Sequence, residues 1–135
     1  MGPTSLVQPG SQGAAGSRSA TPTSYTVISA NAVTKVEYVD ARSRGLPGGL
    51  RPFISINYRL SEPSATAWVL ASYTTDNDAN SVDLGGIQIP PEPPRLITGP
   101  GFSFFAPIGA STVTIASLVQ YGDGSHQLLT TVVNL

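Results

Sequence analysis

From Tyr25 onward, apolar residues recur at every second position in short runs broken by turn residues, and this period of two commits the chain to β-strands. The clearest run covers residues 53–60, where Ile54, Ile56, Tyr58 and Leu60 share one face while Ser55, Asn57 and Arg59 share the other. A second run, 66–73, sets Trp68 and Leu70 against Val69, Ala71 and Tyr73, and a third spans 33–40. Residues 112–121 and 126–135 alternate in the same way on either side of Gly122-Asp123-Gly124-Ser125, which predicts a β-hairpin with a four-residue loop. Weaker strands are expected over 82–89, 95–98 and 102–105, interrupted by Pro90, Pro91, Pro93, Pro94 and Pro100. No segment carries a helical period.

Residues 1–24 differ in kind: Gly2, Pro3, Pro9, Gly10, Gly13, Gly16 and Pro22 lie among Ser, Thr, Gln and Ala. Such a segment has too little apolar surface to offset its ordering entropy. The chain therefore reads as an N-terminal arm, 1–24, followed by one domain, 25–135, a length that suits a two-sheet sandwich of about 100 residues. Seven or eight short strands with frequent turns give an all-β expectation, an immunoglobulin-like or jelly-roll-like antiparallel β-sandwich with an extended N-terminal arm. No Cys…Trp…Cys spacing is present, so the likeness is architectural. The expected core is Trp68, Ile54, Ile56, Val113, Ile115, Leu128 and Val132, with Trp68 placed inside because it lies in mid-strand between Ala67 and Val69.

Charge narrows the range of partners. Charged residues make up 11% of the chain, seven basic against eight acidic, where about 25% is usual. A nucleic-acid binder draws affinity from Lys and Arg on phosphates, and a peripheral membrane protein needs a basic patch; neither is expected here. No apolar run reaches the roughly 20 residues of a spanning helix. The start, Met1-Gly2-Pro3-Thr4-Ser5-Leu6, has neither the basic nor the apolar region of a signal peptide. The absence of cysteine removes disulfides, thiolate nucleophiles and zinc–thiolate sites.

The segment Asp76-Asn77-Asp78-Ala79-Asn80-Ser81-Val82-Asp83 opens like a calcium loop, but Ser81 occupies the glycine position and Ile87 the position of the bidentate glutamate. A solvated loop without structural calcium is expected, since Asp and Asn favour turns. Pro90-Pro91-Glu92-Pro93-Pro94-Arg95 matches a polyproline ligand pattern and equally a rigid connection. Asp123, Ser125 and His126 have the residue types of a hydrolytic triad yet crowd one turn, whereas a triad converges from separate elements. The aromatics Trp68, Tyr73, Tyr38, Tyr58 and Tyr121 could form a sugar platform or pack in the core. Tyr73, Asp76, Asp78, Asn80, Asp83 and Asp123 are the candidate ligand or partner contacts; no catalytic, metal or cofactor-binding residue is assigned.

These readings converge on a non-enzymatic structural or assembly protein that docks on a repeated surface through its arm. Virion decoration proteins and phage head or tail accessory proteins have this general make-up, an analogy without a matching motif. The expected partners are copies of itself or the surface of a host particle, with a homo-oligomer as its solution form, no cofactor, and a virion or cell-exterior setting. A carbohydrate-binding or adhesive β-sandwich module is the alternative.

Overall fold

The computed structural model describes residues 28–91 and 99–135. The arm 1–24, the strand expected at 95–98 and the proline segment from Glu92 onward lie outside the described residues. Among the described residues seven strands follow in order: β1 (Ala30–Asp40), β2 (Leu50–Leu60), β3 (Ala67–Thr75), β4 (Asp78–Ile89), β5 (Gly101–Phe105), β6 (Thr112–Tyr121) and β7 (His126–Asn134). They form two antiparallel sheets, β1-β2-β5 and β4-β3-β6-β7. Among the described residues the helical content is one 3-10 turn, Ala41–Arg44, and no α-helix is present.

Turn chemistry sets where the strands stop. After β1, the Asp40 carboxylate accepts the Arg42 amide at 3.0 Å, and Gly45, at φ 76°, closes the 3-10 turn in the left-handed region open to glycine. The β6–β7 loop is the expected Gly122-Asp123-Gly124-Ser125: Asp123 accepts the Ser125 amide at 2.9 Å, and the Gly124 amide donates to the Tyr121 carbonyl at 3.0 Å. That loop pairs Gln120 with His126 and Val113 with Val133.

The core lies between the sheets. Ile54, Ile56 and Tyr58 of β2 face Val69, Ala71 and Tyr73 of β3 and Val113, Ile115 and Val119 of β6, with Ile89, Ala106 and Val133 around them. Three contacts join the layers in a directional way. Tyr73 stacks on Phe104 of β5 at 4.4 Å between ring centroids and 11° between planes. Tyr58 and Ser117 share a buried hydrogen bond of 2.6 Å. At the edge, Gln127 of β7 accepts the Ala30 amide at 3.0 Å and returns its own amide to the Ala30 carbonyl at 3.2 Å, while Tyr121 donates its hydroxyl to the same Gln127 oxygen.

Three expected core residues are on the outside. Trp68 is 55% exposed, Leu128 65% and Val132 59%. Val69, Ala71 and Tyr73 take the core side of β3, and strict alternation then turns Trp68 and Leu70 outward. In β7, Leu128 stands opposite Leu118 and Val132 opposite Thr114, and directly opposed residues share a face. Since Val113, Ile115 and Val119 are buried, their neighbours Leu118 and Thr114 point outward and carry Leu128 and Val132 with them.

Candidate functional site

The outward side of the four-stranded sheet is built from four rows that run across the strands in register. The first is Gln88, Trp68, Gln120 and His126; the second is Gly86, Leu70, Leu118 and Leu128. The third is Asp83, Ser72, Ala116 and Thr130, and the fourth, without a β4 member, is Thr74, Thr114 and Val132. Trp68, Leu70, Leu118, Leu128 and Val132 are all large, apolar and exposed. Asp83, at the β4 edge, is the single formal charge in the four rows.

The outward side of the other sheet is mixed. It carries charge in Lys35 and Glu37 of β1, which form a 2.6 Å ion pair, and in Arg59 of β2, alongside exposed Val33 and the Phe53–Phe105 ring pair. The rows of the four-stranded sheet differ in holding one formal charge, at their margin. A contiguous apolar patch rimmed by polar residues marks an interaction surface.

A bulge shapes one margin of this face. Between the pairs Ala71–Gly85 and Ser72–Asp83, β4 carries Leu84 as an extra residue, with Gly85 at φ 106°. Leu84 packs partly against the core, and a shallow depression opens outside it, lined by Leu70, Ser72, Asp83, Gly85 and Gly86. Leu70 leans across Gly86, where a β-carbon would come within 2.9 Å of its Cδ2.

The residues singled out from sequence do not converge. Tyr73 is buried against Phe104, so it is a core residue and not an exposed contact. Only Asp76 and Asn77 form the β3–β4 turn; Asp78, Asn80 and Asp83 belong to β4, where a loop over 76–83 was expected. The physical reason is that Asp76 and the Thr75–Asn77 hydrogen bond complete the reversal in two residues, and Thr75 already pairs with Asp78. The Asp76 carboxylate accepts the amides of Ser111 at 2.8 Å and Thr112 at 3.1 Å, tying this turn to the start of β6. Those two amides, Thr112 first, hold its carboxyl below the usual carboxylate range. Asp78 accepts the Asn80 amide at 3.0 Å. Asp123 sits at the far end of the sheet: Thr75 pairs with Val113 at one end of β3 and Ala67 with Tyr121 at the other. The Ser125 hydroxyl, and then the Ser125 amide, lower the Asp123 carboxyl as well. Asp78 and Asp123 each serve a local contact two residues on, and Asp76 ties its turn to β6.

Of the possible sugar platform, Tyr58 and Tyr121 are buried along with Tyr73, Tyr38 is exposed on the other sheet, and Trp68 stands alone on the neutral face. Among the described residues no group of three or more His, Cys, Asp or Glu is placed to hold a metal ion. None of the described helices is long and apolar enough to cross a membrane. The sequence reading missed Leu70, Leu118, Leu128 and Val132 as surface residues, although the near absence of charge on both faces of 66–73, 112–121 and 126–134 was visible.

No family model matches this sequence, and comparisons with curated proteins and with solved structures give no match.

Proposed function

We propose that the chain is a non-enzymatic structural module of immunoglobulin-like topology that assembles by docking the outer face of its β4-β3-β6-β7 sheet on a protein surface. The topology is supported by the strand order: β1-β2-β5 opposite β4-β3-β6-β7 follows the A-B-E and C′-C-F-G strands of that sandwich, with β4 paired on β3. The described residues hold seven strands, where a jelly roll has eight in two Greek keys. The observation that carries the functional reading is the row Leu70, Leu118 and Leu128, continuous across three strands, with Trp68 in the adjoining row and Val132 on the same face beyond the Ser72, Ala116 and Thr130 row. Three leucines and a valine offer nothing to a sugar but suit the apolar centre of a protein interface. The arm 1–24 is a second docking element in this reading, and a repeated host surface such as a virion is the setting its neutral composition suits.

One observation favours the carbohydrate alternative: Trp68 stands between Gln88 and Gln120 on neighbouring strands, a ring with an amide on each side. Light scattering over a wide concentration range, run beside a glycan array, separates the two readings. Protein association with a blank array supports docking. A monomer that binds glycans and loses them in Trp68→Ala overturns it.

A further inference from the structure

We infer that the occupant of this face is a second copy of the same chain, the two β4-β3-β6-β7 sheets stacking face to face about a two-fold axis. This rests on the docking reading above and adds the partner.

Charge is the first argument. A face whose four rows hold only Asp83, at their margin, offers no pattern by which a charged partner could be selected. Its own copy meets it without like-charge repulsion at the centre, and an isologous contact is self-complementary by construction. Layout is the second. Leu70, Leu118 and Leu128 form the centre, with Gln88, Gln120 and His126 along one border and Thr74 and Thr114 towards the other. That is the apolar centre and polar rim of an interface, with Trp68 as the kind of aromatic anchor that dominates binding energy.

Area is the third. Three rows of four and one of three give fifteen outward positions. At about 4.8 Å between strands and about 3.4 Å per residue, they cover roughly 500 Å² in projection. Protruding side chains raise the accessible area above that figure, towards the about 800 Å² each partner gives to a stable interface. Sheets that pack face to face sit about 10 Å apart with interdigitated side chains, and the outward leucines supply that layer. The bulge depression beside Leu70 gives room at the margin for a side chain of the opposing sheet.

The absence of native cysteine makes the test clean. The full-length chain is examined by sedimentation velocity over a broad concentration range, beside Leu118→Lys, Trp68→Ala, Leu118→Cys and Ser103→Cys. Ser103 lies on the outward side of the other sheet, opposite Ser55. The expected result is a wild-type dimer, a Leu118→Lys variant that stays monomeric with an unchanged circular dichroism spectrum, and Trp68→Ala weakened by at least about tenfold. Mild oxidation gives a disulfide-linked dimer of Leu118→Cys and none of Ser103→Cys. If the wild type associates and Leu118→Lys associates equally well, the second-copy inference is overturned while the docking reading stands. Equal cross-linking of the two cysteine variants has the same consequence. A wild type monomeric at every concentration overturns the second-copy inference alone, and the docking reading falls only if that monomer also binds glycans through Trp68.

Discussion

Tyr58 of β2 and Ser117 of β6, both fully buried, are joined by a 2.6 Å hydrogen bond that spans the two sheets. It is the polar link at the centre of an otherwise apolar core. Tyr58→Phe strands the Ser117 hydroxyl and Ser117→Ala strands the Tyr58 hydroxyl, so each is expected to cost about 1–3 kcal/mol. The double variant removes donor and acceptor together and should cost less than the two single losses combined. Urea titration of the four proteins measures the coupling.

Burial of Tyr58 also bears on alkaline stability. Burial pushes the Tyr58 phenol above its usual range, partly offset by the Ser117 hydrogen bond, and burial raises Tyr121 as well. A raised pKa means that the fold favours the protonated phenol. Its stabilisation is complete below the unfolded value of about 10 and is lost as pH rises through the folded value. Urea midpoints should fall above that point, and Tyr58→Phe should flatten the fall.

Gln127 closes the open side of the sandwich by serving both backbone groups of Ala30 and the Tyr121 hydroxyl. Gln127→Ala leaves three groups without their partner, and a loss of about 1–3 kcal/mol is expected. Hydrogen exchange localises it: the Ala30 amide should exchange much faster in the variant, while Ile56 in central β2 follows the global stability.

Ile56 and Trp68 separate core from face. Ile56 is fully buried, and Ile56→Ala should cost about 2–5 kcal/mol. Trp68, 55% exposed, should cost under about 1 kcal/mol when changed to Ala, measured under dilute conditions where the chain is monomeric. A large loss for Trp68→Ala would place the indole inside.

Much of this arrangement was legible from alternation. The strands within the described residues, the 122–125 connection, and Ile54, Ile56, Val113 and Ile115 as core followed from period and turn residues. The choice of face was harder, because both faces of β3 are apolar: Trp68 and Leu70 compete with Val69, Ala71 and Tyr73. A one-residue slip exchanges every side chain. For β7 the loop itself misled. A four-residue loop over 122–125 sets 121 opposite 126 and pairs odd positions with even, which puts Leu128 and Val132 inside with Ile115 and Val119; the Tyr121 amide instead donates to the Ser125 carbonyl, the register moves by one residue to Gln120–His126, and Val133 takes the inside. Tyr73 and the 76–83 segment were read by residue type. Their roles depend on Phe104, Ser111 and Thr112, which lie about 30 residues away and have no local signal.

Asp76 contributes on the acid side, as does Asp123. The Asp76 carboxylate is held down by the Thr112 and Ser111 amides, so the fold favours the ionised form. The resulting stability is present above the ordinary carboxylate value of about 3.9 and is lost as pH falls through the lower folded value. Asp76→Asn keeps an acceptor but not the charge. Its urea midpoint should decline less than that of the wild type between neutral pH and pH 3, and an identical decline would show that Asp76 contributes nothing to acid sensitivity.

Trp68 is the only tryptophan, which makes its fluorescence a direct reporter of the proposed docking face. The measurement is emission maximum and iodide quenching of the full-length protein across the concentration range in which it associates, beside Leu118→Lys. The account predicts a solvent-exposed, readily quenched indole at high dilution that shifts to the blue and becomes protected as the protein associates, with Leu118→Lys exposed throughout. An indole that is blue-shifted and unquenched in monomeric Leu118→Lys, or one that stays exposed in the fully associated wild type, would contradict it.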